Sequence, residues 1–319
     1  MNGGGLVGRF APSPTGRLHL GSLLAAMGSY CDVRSRGGRW LVRMEDLDPP
    51  REVHGAAEDI LRTLEGFGFE WDGPVLFQSE RHGRYQEVLD LLQTEGAVYP
   101  CGCSRKDWQG QAHYPGTCRT GLPAGRNARL ERFALSGKRR EWTDRYRGGT
   151  AYDTADLGDF PVLRADGHWA YQLAVVVDDR DQGVNTIIRG ADLLDSTPLQ
   201  LDLWAVLDHA EEVRPRPEFG HLPILQTAGG QKLSKQTLAR PVEAEDAASL
   251  LDQVWRLLGQ DVSPEWTERV QGGDGRALLN LAAEMWDPLS VPTAPVQLHG
   301  WGQDERPGED ASTPTGWVS

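Results

Sequence analysis

Lysine is nearly missing from this chain. Lys106, Lys138, Lys232 and Lys235 are the whole supply among 33 lysines and arginines, so arginine carries almost all the positive charge. Acidic residues outnumber basic ones, and a net charge of −13 excludes a protein that coats nucleic acid regardless of sequence. It leaves room for a local basic groove. Cysteine is equally scarce, with Cys31, Cys101, Cys103 and Cys118, too few for a disulfide-held scaffold in a chain of this size. No apolar run approaches the ~18–20 residues that a membrane helix needs. Met1 to Leu6 has neither the basic start nor the apolar stretch of a signal peptide. No internal repeat is visible. The expectation is a cytoplasmic chain, a monomer with no membrane partner.

The 319 residues suffice for two or three modules. A short apolar strand over 6–10 runs into the turn-rich Ala11-Pro12-Ser13-Pro14-Thr15-Gly16, and a helical pattern follows over 20–34. A strand over 40–45 ends in carboxylates. Amphipathic helices are predicted over 52–66 and 81–96, each stopped by glycine. Alternating strand and helix predicts a parallel α/β sheet. From 99 to 165 glycine, proline, arginine and cysteine dominate, as in an inserted module. Beyond it the pattern predicts an apolar strand over 169–178, a buried strand over 186–190, a helix over 197–210 and a strand over 222–225. The divisions expected are 1–98 and 166–240 for the two halves of one catalytic domain, 99–165 for the insertion, 241–289 for a small helical region with helices over 243–258 and 276–286, and 290–319 for a disordered tail.

Two segments carry chemistry. Arg9-Phe10-Ala11-Pro12-Ser13-Pro14-Thr15-Gly16-Arg17-Leu18-His19-Leu20-Gly21-Ser22 leads from a strand through a tight loop into a helix. A helix N-terminus offers unpaired N–H groups and the positive end of a dipole, which suit phosphate. Gly16 and Gly21 admit a ligand close to the backbone, and His19 can donate to phosphate oxygens as charge develops. About 210 residues later, Gln231-Lys232-Leu233-Ser234-Lys235-Gln236 sets two lysines and a serine in a short loop after Gly229-Gly230. Alone, each has a plain alternative: a Pro-rich turn, or a solvated lysine pair. A third cluster is Cys101, Cys103 and Cys118, three thiols within 18 residues. With His113 or Tyr114 as the fourth ligand they would make a tetrahedral structural zinc site; unmetallated buried cysteines are the alternative. Cys31 reads as core.

The two loops together resemble the paired signatures of class I aminoacyl-tRNA synthetases. The chain departs from them at Ser22, where the family has a second histidine, and at the second and last positions of Lys232 to Gln236. Arg9 to Gly16, Tyr171-Gln172-Leu173-Ala174 and Arg189 to Pro198 resemble the glutamyl and glutaminyl branch in particular. The resemblance implies a Rossmann-like parallel sheet for nucleotide binding, with an inserted zinc-containing module and a small C-terminal helical region. It implies that ATP, with Mg2+, meets Pro12, Thr15, Gly16, His19, Gly21, Ser22, Lys232, Ser234 and Lys235. Of these His19, Lys232 and Lys235 would be catalytic. It implies a pocket for L-glutamate made by Arg9, Phe10, Ala11, Pro12, Ser13, Glu45, Tyr171 and Arg189. Arginine forks suit two carboxylates and Glu45 suits an ammonium. Leu199 stands where the family has a basic residue.

Few residues follow Gln236, which leaves no room for the anticodon-reading domains of a full glutamyl-tRNA synthetase. With Tyr171 to Asp179, Gly190 to Pro198 and the three-cysteine pattern, the chain resembles the shortened branch of that family. This implies Tyr114 as the fourth zinc ligand, with His113 in reserve. It implies glutamate activation without tRNA, then transfer to queuosine at the wobble position of tRNA(Asp). Arg126, Arg129, Arg132, Lys138, Arg139, Arg140, Arg145 and Arg147 could track phosphates, and Trp142 and Tyr146 could stack on a base; a solvated basic face is the alternative. Competing readings are a compact glutamyl-tRNA synthetase that charges the tRNA 3′ end, a non-catalytic tRNA-binding relative, and another nucleotidyltransferase of the superfamily.

Overall fold

The computed structural model describes residues 5–227 and 240–298. β1 (Val7–Phe10) runs through the Pro-rich loop into α1 (Leu20–Arg34), and β2 (Arg39–Met44) returns beside β1. After α2 (Ala56–Gly66), β3 (Leu76–Phe77) and α3 (His82–Thr94) comes a β-rich stretch: β4 (Val98–Cys101), β5 (Leu130–Phe133), β6 (Arg139–Asp144), β7 (Gly148–Asp153) and β8 (Pro161–Leu163). Next are α4 (Tyr171–Asp181), β9 (Thr186–Gly190), α5 (Ser196–Ala210), β10 (Glu218–Leu222) and β11 (Leu225–Thr227). α6 (Ala247–Leu257), α7 (Pro264–Gly272), α8 (Gly275–Met285) and β12 (Val296–Leu298) follow.

The main sheet has the order β3-β2-β1-β9-β10-β6-β7. Its pairs are parallel except the β6–β7 hairpin at the edge. The strand order turns at β1, with β2 on one side and β9 on the other. In a doubly wound sheet the crevice beyond the carboxyl ends of such strands is the ligand site.

Strand alternation decides what each face meets. Gly8 and Phe10 of β1, with Trp40, Val42 and Met44 of β2, face α1 and the C-terminal helices, in one core with Leu23, Leu24 and Met27. A Cβ on Gly8 would lie 2.3 Å from Val33 Cγ2, so α1 reaches the sheet only over a glycine. The opposite face carries Val7 and Arg9 of β1, and Leu41 and Arg43 of β2. It meets α4, where Asp179 takes both arginines: Arg9 Nε at 3.0 Å and Arg43 Nη1 at 2.8 Å. Arg9 is 3 % exposed, and Arg43 and Asp179 are 0 % and 2 % exposed.

Several sequence expectations need correction. Residues 169–178 are not a strand, for Tyr171–Asp181 is a helix. It lies inside, with Leu173, Ala174, Val175, Val176 and Val177 all buried, and an apolar run buried on every side has no period to separate helix from strand. The strand expected over 222–225 is two strands, ended and restarted around Pro223, which has no N–H for the ladder. The helix expected from 52 begins at Ala56, after Gly55 turns the chain at φ 78°. The helix α7 went unforeseen. Val296–Leu298 pairs parallel with β11, so the stretch expected as a disordered tail opens with a strand; its remainder, from 299, lies outside the described residues. The insertion is not self-contained either. β4, β5 and β8 form their own three-stranded sheet, but β6 pairs with β10 and extends the main sheet. Among the described residues no helix is long and apolar enough to cross a membrane.

Removing one partner from a buried ion cluster leaves charges stranded in a dry interior. Asp179→Ala should therefore destabilise the protein by about 3–5 kcal/mol, read as a drop in urea midpoint at unchanged m-value. A loss below about 1 kcal/mol, the scale of a surface pair, would show that Arg9 and Arg43 find other partners.

Candidate active site

The loop after β1 is held at both shoulders. Pro12 C=O accepts from Glu45 N–H (3.0 Å), and Pro14 C=O accepts from Val53 N–H (3.0 Å). Gly16 bends the loop with φ 134°, a value that disfavours any side chain. His19 is the N-cap of α1. Its Nδ1 accepts from Ser22 N–H (3.2 Å), which leaves the ring proton for Nε2, itself 3.3 Å from Ser22 Oγ. Ser22, the departure from the family pattern, thus orients His19. Phe10, Ala11, Pro12, Ser13, Thr15, His19, Gly21 and Ser22 line a cleft of about 300 Å³, closed opposite by Gly190, Asp192, Leu193 and Pro223 to Leu225.

Lys232, Ser234 and Lys235 lie outside the described residues. Both flanks of their segment are fixed, however. β11 ends at Thr227, and the chain returns with Pro241 bridged to His19 and Val242 N–H donating to Leu18 C=O (3.0 Å). Arg17 clamps Glu243 with both Nη groups at 2.7 Å.

A second cleft, of about 480 Å³, adjoins the first through Ala11, Ser13, Thr15, Asp192 and Leu193. Glu45, Gln78, Trp169 and Tyr171 wall it, and Asp48, Arg51, Glu52 and Arg164 ring its outer part. Glu45 follows directly on β2, its side chain 11 % exposed. Arg43 Nη2 is the nearest cation, at 3.7 Å, too far for a hydrogen bond, and that nitrogen has no hydrogen-bond partner. Burial pushes the Glu45 carboxyl up to about 7, against the pull of Arg43 and Arg9. Among the described residues no cation hydrogen-bonds to it.

Arg189, at the end of β9, is the reverse. The chain folds back around its guanidinium: Leu193 C=O and Thr197 Oγ1 take Nη2 at 3.3 and 2.8 Å, and Gln200 Oε1 takes Nη1 at 2.8 Å. Gln200 is held by Gln172, and Gln172 by Ser196 Oγ. Nε donates to His221 Nε2 (3.2 Å), and Tyr171 Oη stands 3.5 Å from Nη1. All of these acceptors are neutral. Arg189 is 5 % exposed, and among the described residues no carboxylate pairs with it. Burial accordingly lowers its pKa.

The structure thus gathers Phe10, Ala11, Pro12, Ser13, Thr15, His19, Gly21, Ser22, Glu45 and Tyr171 around the joined clefts, with Arg189 behind Tyr171. Arg9 differs: its fork is spent on Asp179, with Nε on one oxygen and Nη2 at 3.3 Å on the other. Sequence reading missed Arg43, Asp179, Thr197, Gln200 and His221. The Asp178-Asp179 pair was a signal, but it was hidden by the assignment of that segment to a strand.

In the insertion, the Sγ atoms of Cys101, Cys103 and Cys118 all lie within 4.8 Å of one another. Cys103 and Cys118 are 3.6 Å apart and unbonded. Tyr114 Oη is 3.3 Å from Cys101 Sγ and 3.9 Å from Cys103 Sγ. The three thiols could hold a metal ion, and Tyr114 Oη lies beside them. His113 is exposed and stands outside the group. The basic row expected to track phosphates is mostly engaged within the chain. Arg126 pairs with Asp107, Arg139 with Glu141, Arg140 with Asp202, and Arg145 with Asp32 and Glu218. Arg132 is buried 3.8 Å over the Tyr114 ring, and Arg147 Nε donates to His221 C=O. Trp142 already stacks on Tyr152, and Tyr146 donates to Asp32.

The family model for tRNA synthetases class I (E and Q), catalytic domain, matches residues 6–115 and 119–253. The chain belongs to this family. A relative named glutamyl-Q tRNA(Asp) synthetase, from Chromobacterium violaceum, is 52 % identical over 301 residues, which cover 91 % of this chain and 97 % of the relative. Relatives of the same name from Neisseria meningitidis and Dechloromonas aromatica are each 51 % identical, over 89 % of this chain and 97 % and 95 % of their own. A crystal structure of a glutamate tRNA ligase from Elizabethkingia meningosepticum shares the fold with a TM-score of 0.74, at 23 % identity, over 92 % of this chain and 67 % of that one. The clefts lie at the carboxyl ends of the parallel strands β1, β2 and β9.

The raised Glu45 carboxyl has a measurable sign. The folded protein holds this proton up to about pH 7, whereas an ordinary glutamate releases it near 4.5. Stability therefore falls as pH rises through that window, and the cost of the buried charge is full above it. Glu45→Gln should be more stable than the parent at pH 8, by up to about 3 kcal/mol, with the gain gone by pH 4.5. Denaturant midpoints at the two pH values check this. An equal gain at both would mean that Glu45 is not raised.

Proposed function

We propose that this chain activates L-glutamate with ATP and transfers the glutamyl group to queuosine in tRNA(Asp). The observation that carries the amino acid is Arg189, a buried guanidinium whose partners among the described residues are all neutral, set behind Tyr171, which shares a cleft wall with Glu45. A ligand with a carboxylate at one end and an ammonium at the other supplies the charge that each lacks. Glutamate's side-chain carboxylate meets Tyr171 Oη with the Arg189 charge directly behind it, where the long Nη1 contact to Tyr171 (3.5 Å) is the one that can turn to the ligand, and its ammonium meets Glu45. The ammonium also draws the Glu45 carboxyl into its ionised form.

ATP occupies the adjoining cleft, its phosphates at the N-terminus of α1. One oxygen of the glutamate α-carboxylate attacks the α-phosphorus, the bond to the bridging oxygen breaks, and pyrophosphate leaves. His19 donates through Nε2 to the phosphate oxygens as charge builds. Lys232 and Lys235 balance the leaving pyrophosphate. Lys235 precedes Pro241 by six residues, a tether of at most about 20 Å from the residue bridged to His19. Mg2+, carried with ATP, supplies further charge neutralisation when bound. A hydroxyl of the queuosine diol then attacks the activated carbonyl, AMP departs, and the hydroxyl proton is released. The choice of acceptor rests on relatives of that name, about half identical over nearly their whole length.

Cys101, Cys103, Tyr114 and Cys118 would hold one structural zinc, which suits three thiolates and one oxygen in a tetrahedron. Cys103→Ser should lower metal content from about one zinc per chain and lower the melting temperature by several degrees. Full zinc in the variant would place the metal elsewhere.

The function is tested with purified chain, [14C]glutamate, ATP and tRNA. The expected outcome is glutamate-dependent ATP–pyrophosphate exchange without tRNA, and label on tRNA(Asp) that contains queuosine but not on the same tRNA with guanosine there. Arg189→Gln should raise the glutamate KM at least about tenfold, as expected for loss of a charged hydrogen-bond partner. Charging of tRNA(Glu) at its 3′ end would overturn the acceptor, and absence of exchange would overturn the enzyme reading.

A further inference from the structure

The plane of Arg189 is fixed from outside its own loop. Leu193, Thr197 and Gln200 hold the two Nη groups, but Nε meets His221 of β10. His221 is fully buried, with Nε2 at 3.2 Å from Arg189 Nε and 3.2 Å from Thr197 Oγ1. Its Nδ1 is 2.5 Å from Asp144 Oδ2, at the end of β6. Asp144 is fixed in turn: Oδ1 accepts the backbone N–H groups of Tyr146 (3.2 Å), Arg147 (3.2 Å) and His221 (3.3 Å).

The contact with Arg189 selects one tautomer. Arginine Nε is always a donor, so His221 Nε2 must accept and stay bare. The single ring proton then sits on Nδ1 and is donated to Asp144. A proton on Nε2 would face an N–H that cannot give way. Burial lowers the pKa of the ring, against the pull of Asp144.

We infer that Asp144 and His221 are positioning residues for the amino acid: Asp144 fixes the tautomer of His221, and His221 fixes the guanidinium plane of Arg189. The inference rests on the reading of Arg189 as the partner of the glutamate side chain. Its content is directional. A histidine that only filled the core would tolerate either tautomer, and its loss would weaken the protein without preference among substrates. Here the strand of the inserted segment that joins the main sheet reaches the amino-acid cleft through one proton.

The test uses ATP–pyrophosphate exchange with the full chain. Asp144→Asn puts an NH2 where the carboxylate oxygen was, and the amide donates to Nδ1. The ring proton is driven to Nε2, against Arg189. The glutamate KM should rise about tenfold, the loss expected for one hydrogen bond to a charged group, with the ATP KM within about twofold. His221→Gln keeps an acceptor near the place of Nε2 and should stay within about threefold of the parent, whereas the shorter His221→Asn should match Asp144→Asn. In the His221→Gln background, Asp144→Asn should add little, since the tautomer it perturbs is gone. The preference for glutamate over glutamine should fall in Asp144→Asn, a ratio that does not depend on the fraction folded.

Equal rises in both KM values, or identical behaviour of His221→Gln and His221→Asn, would overturn the inference. So would an unchanged preference for glutamate over glutamine. If Arg189→Gln leaves the glutamate KM alone, the reading of the pocket fails. If Arg189→Gln raises it and Asp144→Asn does not, that reading stands and the positioning role fails.

Discussion

The catalytic half of this molecule is organised around one buried carboxylate. Asp179 projects from α4 onto the central sheet and receives Arg9 from β1 and Arg43 from β2, the two strands beside the point where the strand order turns. Both arginines follow from strand alternation, since Phe10, Trp40, Val42 and Met44 go to the α1 face while Arg9 and Arg43 go with Val7 and Leu41 to the other. Replacing such a cluster by apolar residues is often neutral or better for stability. Its presence here places cations next to a ligand cleft, with the strand ends held in register behind it.

That arrangement explains what was legible in the sequence and what was not. The loop from Arg9 to Ser22 was legible because its parts are local: a strand, a turn of prolines and glycine, and a helix start capped by His19. The cluster of Cys101, Cys103 and Cys118 was legible for the same reason, whereas the preference for Tyr114 over His113 came from the resemblance. α4 was misread because five consecutive buried apolar residues carry no period, and its Asp178-Asp179 pair lost its meaning with the misreading. The partners of Arg189 were only half visible. Thr197 and Gln200 follow it by 8 and 11 residues, but His221 and Asp144 come from distant strands that only the sheet order brings together. The ion pairs of the basic row were not legible, because composition does not reveal that Asp32, Asp107 and Asp202 await those arginines.

The insertion therefore has two roles that its sequence had merged. The β4-β5-β8 sheet carries the sulfur cluster, with Arg132 laid over Tyr114 and bonded to Asp159 C=O. The β6–β7 hairpin instead completes the main sheet. It is fastened to α1 through Arg145 and Tyr146 on Asp32, and Trp286, just past α8, donates to the same carboxylate. Asp32 is wholly buried, so the insertion, the first helix and the C-terminal helices meet at one anion.

The unequal treatment of the arginines is the strongest argument about the ligand. Arg9 and Arg43 share Asp179, and burial holds the Glu45 carboxyl above its usual range, with no cation hydrogen-bonded to it among the described residues. Arg189 is held by neutral dipoles, a costly way to bury charge, since desolvation of an ion amounts to several kcal/mol even after relaxation. In the proposed pocket an ammonium ionises Glu45, and a side-chain carboxylate gives Arg189 the charged partner that it lacks among the described residues. The neutral amide of glutamine would not, in a site of low dielectric where that difference weighs most. Charge alone does not separate glutamate from aspartate. That distinction falls to length, to the span from Glu45 to Tyr171 and Arg189 across the cleft, and so to whatever holds Arg189 in place.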